Sequence, residues 1–268
     1  MSLAARLAAL AIAALAAAPA AAQPLRIAST DQCADQYILA LAPRSEIASL
    51  STRATNPDSY LRARAAGLPQ RRATLEALLA ERPTTVVSYW TPEVRLPDAL
   101  RARGVAFVQI DEARDFAGVR ANIRKVAHAL DRDAAGEALI AGMNGKLAAA
   151  RGGWGGAPAL YYTTGGFTAG PGTLIDSILR AAGLSNEARR SGYGAVPLEA
   201  LVLNPPAALV LGFFADLAQG RQHWGVGRAE RVETLSRRQP IASLPGSMLG
   251  CPAWFAADAS LALAQAKR

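Results

Sequence analysis

One uninterrupted run, Asp115 to Arg151, limits the fold more than any other part of the chain. It contains no proline, and Val119, Ile123, Val126, Leu130, Ala134, Leu139, Ile140, Met143 and Leu147 return at the spacing of one helix face. Charged residues fill most of the opposite face. Asp111 and Asp115 suit the positive end of a helix dipole, and Lys146 and Arg151 suit the negative end. The pattern predicts a single helix about 50 Å long at roughly 1.5 Å per residue, more than one small domain requires. Gly136, Gly142 and Gly145 weaken its second half, so two ordinary helices with a bend remain the plainer alternative.

The segments on either side resemble each other. Leu75-Glu76-Ala77-Leu78 returns as Leu198-Glu199-Ala200-Leu201, Pro83 as Pro206 and Val87 as Val210, at a constant offset of 123 residues. Each copy reads as a short helix, a proline stop and a β-rich apolar run. The shared punctuation predicts two similar α/β lobes joined by the helix. A length of 268 residues, 51% of them hydrophobic, allows each lobe its own core.

The N-terminus bears on location. Met1 to Ala22 has one early cation (Arg6), an apolar run from Leu7 to Ala18, and Ala20-Ala21-Ala22 before Gln23. That reads as a secretory signal peptide, residues 1–22, too short in its apolar part to span a bilayer. Gln23 stands where a lipoprotein would need cysteine. No later stretch is long and apolar enough for a span, so a soluble protein of an oxidising extracytoplasmic compartment is expected. The formal net charge of +8 can mean nucleic acid, a membrane surface or an anionic small ligand, and arginines spread along the chain rather than gathered in a basic block argue against nucleic acid.

From Leu25 onward, strands alternate with helices, the signature of a parallel sheet. Strands are expected at 25–30, 47–50, 84–89 and 105–110. Helices are expected from Asp31 to Ala42, over 74–81, and at Pro97–Arg103 with its proline in the first turn. Beyond Gly152-Gly153 the pattern restarts. Ala157–Thr163 is a strand, 165–172 a glycine turn, Thr173–Ala182 a helix, and 197–203 and 207–212 a helix and strand. Phe213 to Arg228 reads as an irregular loop, followed by helix 229–236, a short strand near Met248 and a final helix over 253–267. The expected organisation is an N-terminal lobe over 23–113, a linking helix over 114–151 and a C-terminal lobe over 152–268.

Chemistry-bearing motifs are sparse. Gly165-x4-Gly170 opens like a phosphate-binding loop, but Pro171 stands where the lysine must be. A tight βα turn is the plain reading, and a turn lining a ligand cleft at the carboxyl edge of a sheet is the other. There is no nucleophile elbow and no paired-histidine zinc motif. His128 reads as a packing or surface residue, and His223 beside Trp224 as the better ligand contact. No resident cofactor or metal is expected, and an exported hydrolase with a two-lobed cleft is the rival to a binding protein. Cys33 and Cys251, one in each lobe, are expected to pair in an oxidising compartment, with free thiols near a metal chelate as the alternative.

Taken in order, RIASTDQCADQYILALAPRSEIASLS, LEALLAERPTTVVSYW, the linking run, GGFTAGPGTLIDSILRAAGLSNEA and LEALVLNPPAALVL resemble periplasmic substrate-binding proteins of ABC importers for metal chelates, the ferric-siderophore and vitamin B12 group. The resemblance implies two α/β lobes bridged by one rigid helix, with ligand clamped between them and little hinge motion. It further implies a monomer that delivers its ligand to an inner-membrane permease dimer. Position by position it places Tyr89, Phe167 and Tyr193 against the ligand. Gln70 stands where the B12-binding members have tryptophan, which weakens the case for a corrinoid because such ligands favour broad aromatic faces. Arg53, Arg71 and Arg72 in adjoining loops favour carboxylate or phenolate ligands, so a ferric siderophore is expected slightly ahead of cobalamin, with haem or a bare oxyanion further behind. Gln32, Trp90, Gly166, Phe213 and Trp224 complete the expected cleft, and Glu76 and Glu199 are the expected permease-docking pair.

Overall fold

A computed structural model of the chain describes residues 24–91, 93–213 and 241–266. The N-terminal part builds a five-stranded sheet from β1 (Ile27–Ser29), β2 (Ile47–Ser51), β3 (Gln70–Arg71), β4 (Thr85–Ser88) and β5 (Ala106–Gln109). The order is β3-β2-β1-β4-β5 and every pairing is parallel. Strands β2 and β4 are buried along their whole length, as parallel strands covered on both faces must be. Helices α1 (Gln32–Leu41), α2 (Arg62–Ala65), α3 (Leu75–Ala80) and α4 (Leu96–Arg101) supply the crossovers. Helix α1 starts where Asp31 caps it, and it buries Tyr37, Ile38 and Leu39 against the sheet.

The linking run is not one helix. It forms α5 (Phe116–Ala129) and α6 (Asp133–Ala150), which fold back on each other. The break falls at Asp131, whose φ of 54° is left-handed, a conformation that aspartate tolerates better than most residues. Asp133 then opens α6 in its first turn, where a carboxylate suits the helix dipole. Gly136, read from sequence as a weak point, has a packing role. A Cβ placed on it would lie 2.6 Å from Ala127 Cβ, so the glycine lets the two helices approach. Helix α6, about 27 Å long at roughly 1.5 Å per residue, is what reaches the C-terminal lobe.

There the strands are β6 (Ala157–Thr163), β7 (Phe167–Ala169), β8 (Leu184–Asn186), β9 (Tyr193–Ala195), β10 (Leu209–Gly212) and β11 (Ile241–Leu244). The main sheet runs β11-β10-β6-β8, all parallel, while β7 and β9 form a small antiparallel pair. Helices α7 (Leu174–Ala181), α8 (Leu198–Leu203), α9 (Gly246–Leu249) and α10 (Ala256–Gln265) complete the lobe, with α10 packed on both α6 and α7. The glycine turn therefore contains a strand. Met248 lies in α9, and the strand expected near it is β11, which ends at Leu244. Helix 229–236 falls outside the described residues.

The internal repeat has a structural counterpart. Strands β2-β1-β4-β5 and β8-β6-β10-β11 have the same order, with the two repeat copies feeding β4 and β10 at equivalent places. Each sheet reverses winding beside its first strand. The carboxyl ends of β1 and β4, and of β6 and β10, are thus the crevices where open α/β sheets receive ligands.

Candidate ligand cleft

Three adjoining cavities open between the lobes at these strand ends. The first, 420 Å³, is lined by Asp31, Gln32, Arg53, Asp58, Tyr89 and Trp90 from the N-terminal lobe and by Gly250 and Cys251 from the C-terminal one. A narrow one of 80 Å³ shares Tyr89, Gly250 and Cys251 and adds Glu112 and Tyr193. The third, 440 Å³, shares Glu112 and Tyr193 and continues along Arg114, Thr173 and Ser191. Tyr89 and Tyr193 thus stand at the waist of one elongated cleft.

Local structure positions each wall. Tyr89 and Trp90 leave the end of β4 in a turn whose N–H groups both donate to Asp31 Oδ2, at 2.7 and 3.0 Å. The Tyr89 hydroxyl donates to Glu112, which stands on the segment joining β5 to α5. Burial, reinforced by that carboxylate, pushes the Tyr89 phenol well above its ordinary value, so it stays protonated. Tyr193 is also pushed up, chiefly by burial and then by Glu112. Phe167 and Tyr193 share one face of the β7–β9 pair, since Phe167 lies opposite Ala195 and Tyr193 opposite Ala169. Their turn depends on Gly166, whose φ of 81° few side chains accept. Trp90, Tyr193 and Phe167 are 73, 66 and 50% exposed, unusual for rings of this size. The oxygen donors available to a bound metal ion at the waist are the two phenols and the Glu112 carboxylate; among the described residues no cluster of three or more His, Cys, Asp or Glu is placed to hold a metal ion.

The far wall is tied across the lobes. Cys33 and Cys251 form a disulfide that lines the first cavity. Behind it, Tyr37 Oη donates to the Pro252 carbonyl at 2.6 Å, Tyr60 stacks on Phe255 at 4.4 Å, and Lys146 pairs with Asp258 at 2.6 Å.

Of the residues expected at the cleft, Gln32, Arg53, Tyr89, Trp90 and Tyr193 line the described cavities, and Gly166 and Phe167 build the adjoining hairpin. Gln70 and Arg71 do not reach it. Gln70 is within 3.5 Å of Thr55 at the sheet edge, and Arg71 pairs with Glu81 at 2.6 Å, because β3 places both at the outer edge of the sheet. Arg72 is exposed beyond them. Phe213 follows β10, its N–H donating to the Leu244 carbonyl, and does not line these cavities. His128 is on the surface, paired with Asp133. His223 and Trp224 lie outside the described residues. Sequence reasoning missed Asp31 and Glu112 as cleft residues. Asp31 carried a signal, an aspartate between strand and helix, but only for its capping role.

Two α/β lobes of one strand order, bridged by helices and facing each other across an aromatic cleft, define the two-lobed binding-protein class. Residues 27–213 match the periplasmic binding protein family, and the chain belongs to it. A cobalamin-binding protein of Halobacterium salinarum is 27% identical over 210 residues, 72% of this chain, and this chain spans only 55% of that relative's length. Among solved structures, a periplasmic heme-binding protein of Roseiflexus sp. RS-1 in apo form matches with a TM-score of 0.70 at 23% identity, covering 91% of this chain and 99% of the other. A periplasmic vitamin B12 binding protein of Vibrio cholerae matches with a TM-score of 0.67 at 17% identity, covering 90 and 96%. These likenesses support the two-lobed α/β fold read from the sequence, with α6 as the helix that reaches the C-terminal lobe and α5 packed beside it on the N-terminal one.

Proposed function

We propose that the chain is the exported receptor of an ABC importer, that it captures a metal chelate between its lobes, and that it passes the chelate to a membrane permease. The observation that carries this reading is the set of aromatic faces, Tyr89 and Trp90 from one lobe and Tyr193 and Phe167 from the other, left partly exposed at one cleft. Exposed rings converging from two lobes favour a ligand with broad apolar faces, and Arg53 at the margin favours one that also carries anionic arms. A planar macrocyclic chelate, haem or a corrinoid, meets both conditions. A ferric siderophore, favoured from sequence by the arginines, is the second reading; of those arginines only Arg53 lines the first cavity. The protein needs no resident cofactor and acts as a monomer in the periplasm after removal of residues 1–22. No described helix is long and apolar enough to cross a membrane. Glu76 and Glu199 are exposed in the first turns of α3 and α8, at matching places in the two lobes, and serve as the docking pair for the permease.

Titration of the mature protein with haemin, cyanocobalamin and a panel of ferric siderophores, read by tryptophan quenching, tests the reading. Tight binding of haemin or cyanocobalamin that weakens about tenfold or more in Tyr89→Ala is expected. Binding of a ferric siderophore alone would select the second reading. Turnover of a hydrolase substrate panel with no chelate bound would overturn both.

A further inference from the structure

We propose that Asp31 is a positioning residue of the cleft, holding the Tyr89–Trp90 turn in the shape that presents both rings to the ligand. Its two carboxylate oxygens do separate work. Oδ1 accepts from Cys33 N and Ala34 N, each at 3.0 Å, which is an ordinary helix cap. Oδ2 accepts from Tyr89 N at 2.7 Å, Trp90 N at 3.0 Å and the Thr30 hydroxyl at 2.9 Å. Capping α1 requires only one side-chain oxygen, which serine, threonine or asparagine also provides. The second oxygen serves the turn, whose two adjacent N–H groups converge on it from a strand 58 residues away in sequence.

The topology explains why the clamp falls here. β1 and β4 are neighbours in register, Ser29 opposite Val87, so the residues just past their carboxyl ends meet at the switch point of the sheet. Trp90, 73% exposed, has little packing to hold it, and the backbone tie to Asp31 supplies the order that packing does not. A ring ordered before the ligand arrives loses less freedom on binding, so the clamp contributes affinity without touching the ligand. The inference rests on the receptor reading for its functional part, while the clamp itself stands on the hydrogen bonds.

Asp31→Asn separates the two roles. Asparagine caps helices as well as aspartate, but its second head group is an NH2 donor, which would face the Tyr89 and Trp90 N–H groups instead of accepting from them. In the full mature protein, Asp31→Asn is expected to keep a near wild-type melting temperature while Asp31→Ala loses stability. Amide hydrogen exchange at Tyr89 and Trp90, followed by NMR, is expected to quicken in Asp31→Asn, and its affinity for haemin or cyanocobalamin to fall about tenfold or more. Unchanged exchange at both amides overturns the clamp. Faster exchange with unchanged affinity for a chelate that the wild type binds overturns its role in recognition. A melting temperature lowered as far as in Asp31→Ala would overturn the separation of clamp from cap, because asparagine keeps the cap. If the wild type binds no chelate of the panel, ferric siderophores included, the receptor reading fails, and the exchange rates alone decide the clamp.

Discussion

Asp35 is a carboxylate inside the N-terminal core, a turn along α1 from the cleft. It is fully buried and accepts hydrogen bonds from the Ser29 hydroxyl, the Ser51 hydroxyl and Ser51 N. Burial outweighs those bonds and raises its pKa to about 6. The unfolded value is about 3.9, so the folded chain holds this proton more tightly, and Asp35 makes the protein more stable as pH falls from about 7 to about 4. A rise of that size corresponds to about 2–3 kcal/mol. Asp35→Asn, neutral throughout, is expected to lose that part of the pH dependence. Urea midpoints of both proteins at pH 7.5 and 4.5 give the comparison, and an identical pH dependence would refute the assignment. At this scale the sequence was partly legible. The family resemblance put Tyr89 and Tyr193 at the cleft, and Trp90 follows the end of a strand that the sequence made readable. Asp31 and Glu112 could not be placed there, because their roles depend on partners that only the folded sheet brings near. Gln70 and Arg71, put near the ligand by the resemblance, stand on a two-residue strand at the sheet's edge, too short to leave any periodicity to read.

Among the elements, the α5–α6 hairpin makes the sharpest demand on the sequence. Gly136 faces Ala127 at close range, whereas Gly142 is exposed, and a Cβ added there would meet no atom within 4 Å. The two glycines should therefore respond oppositely. Gly142→Ala is expected to stabilise by about 0.5–1 kcal/mol through helix propensity. Gly136→Leu is expected to destabilise by about 1–3 kcal/mol through overpacking. Chemical denaturation measures both, and equal effects would mean that the hairpin is not packed as described. Capped helices were readable in sequence, since Asp31, Thr74, Asp115 and Thr173 each mark a start with a local bond. The break at Asp131 was hidden because the apolar spacing runs through it without a glycine or proline. β7 and β9 were missed because three-residue strands are defined by their pairing rather than by any pattern of their own.

For the whole molecule, the lobes are held together by more than the helical bridge. The disulfide closes a loop of 218 residues, and loop entropy assigns such a cross-link roughly 4–5 kcal/mol. Denatured, unreduced protein is expected to show no titratable thiol, and Cys33→Ser/Cys251→Ser to lose stability of that order in urea; two reactive thiols would rule the bond out. Partner docking is also a property of the two lobes together. Glu76→Ala with Glu199→Ala is expected to leave chelate affinity near wild type and to impair uptake in cells, more than either change alone. Normal uptake by the double variant would assign both carboxylates to helix-dipole stabilisation alone.

The position of that cross-link also sets an order of events. A chain that emerges N-terminus first exposes Cys33 early, and its partner follows only 218 residues later. The N-terminal sheet and the bridge can assemble in the meantime, while the thiol at the start of α1 waits. Tyr37 and Tyr60 face the same delay, because the Pro252 carbonyl and the Phe255 ring they engage arrive with Cys251. Closure of the bond is thus a completion mark: it forms only on a molecule whose C-terminal segment has come home, and a truncated or stalled chain is left with a free thiol.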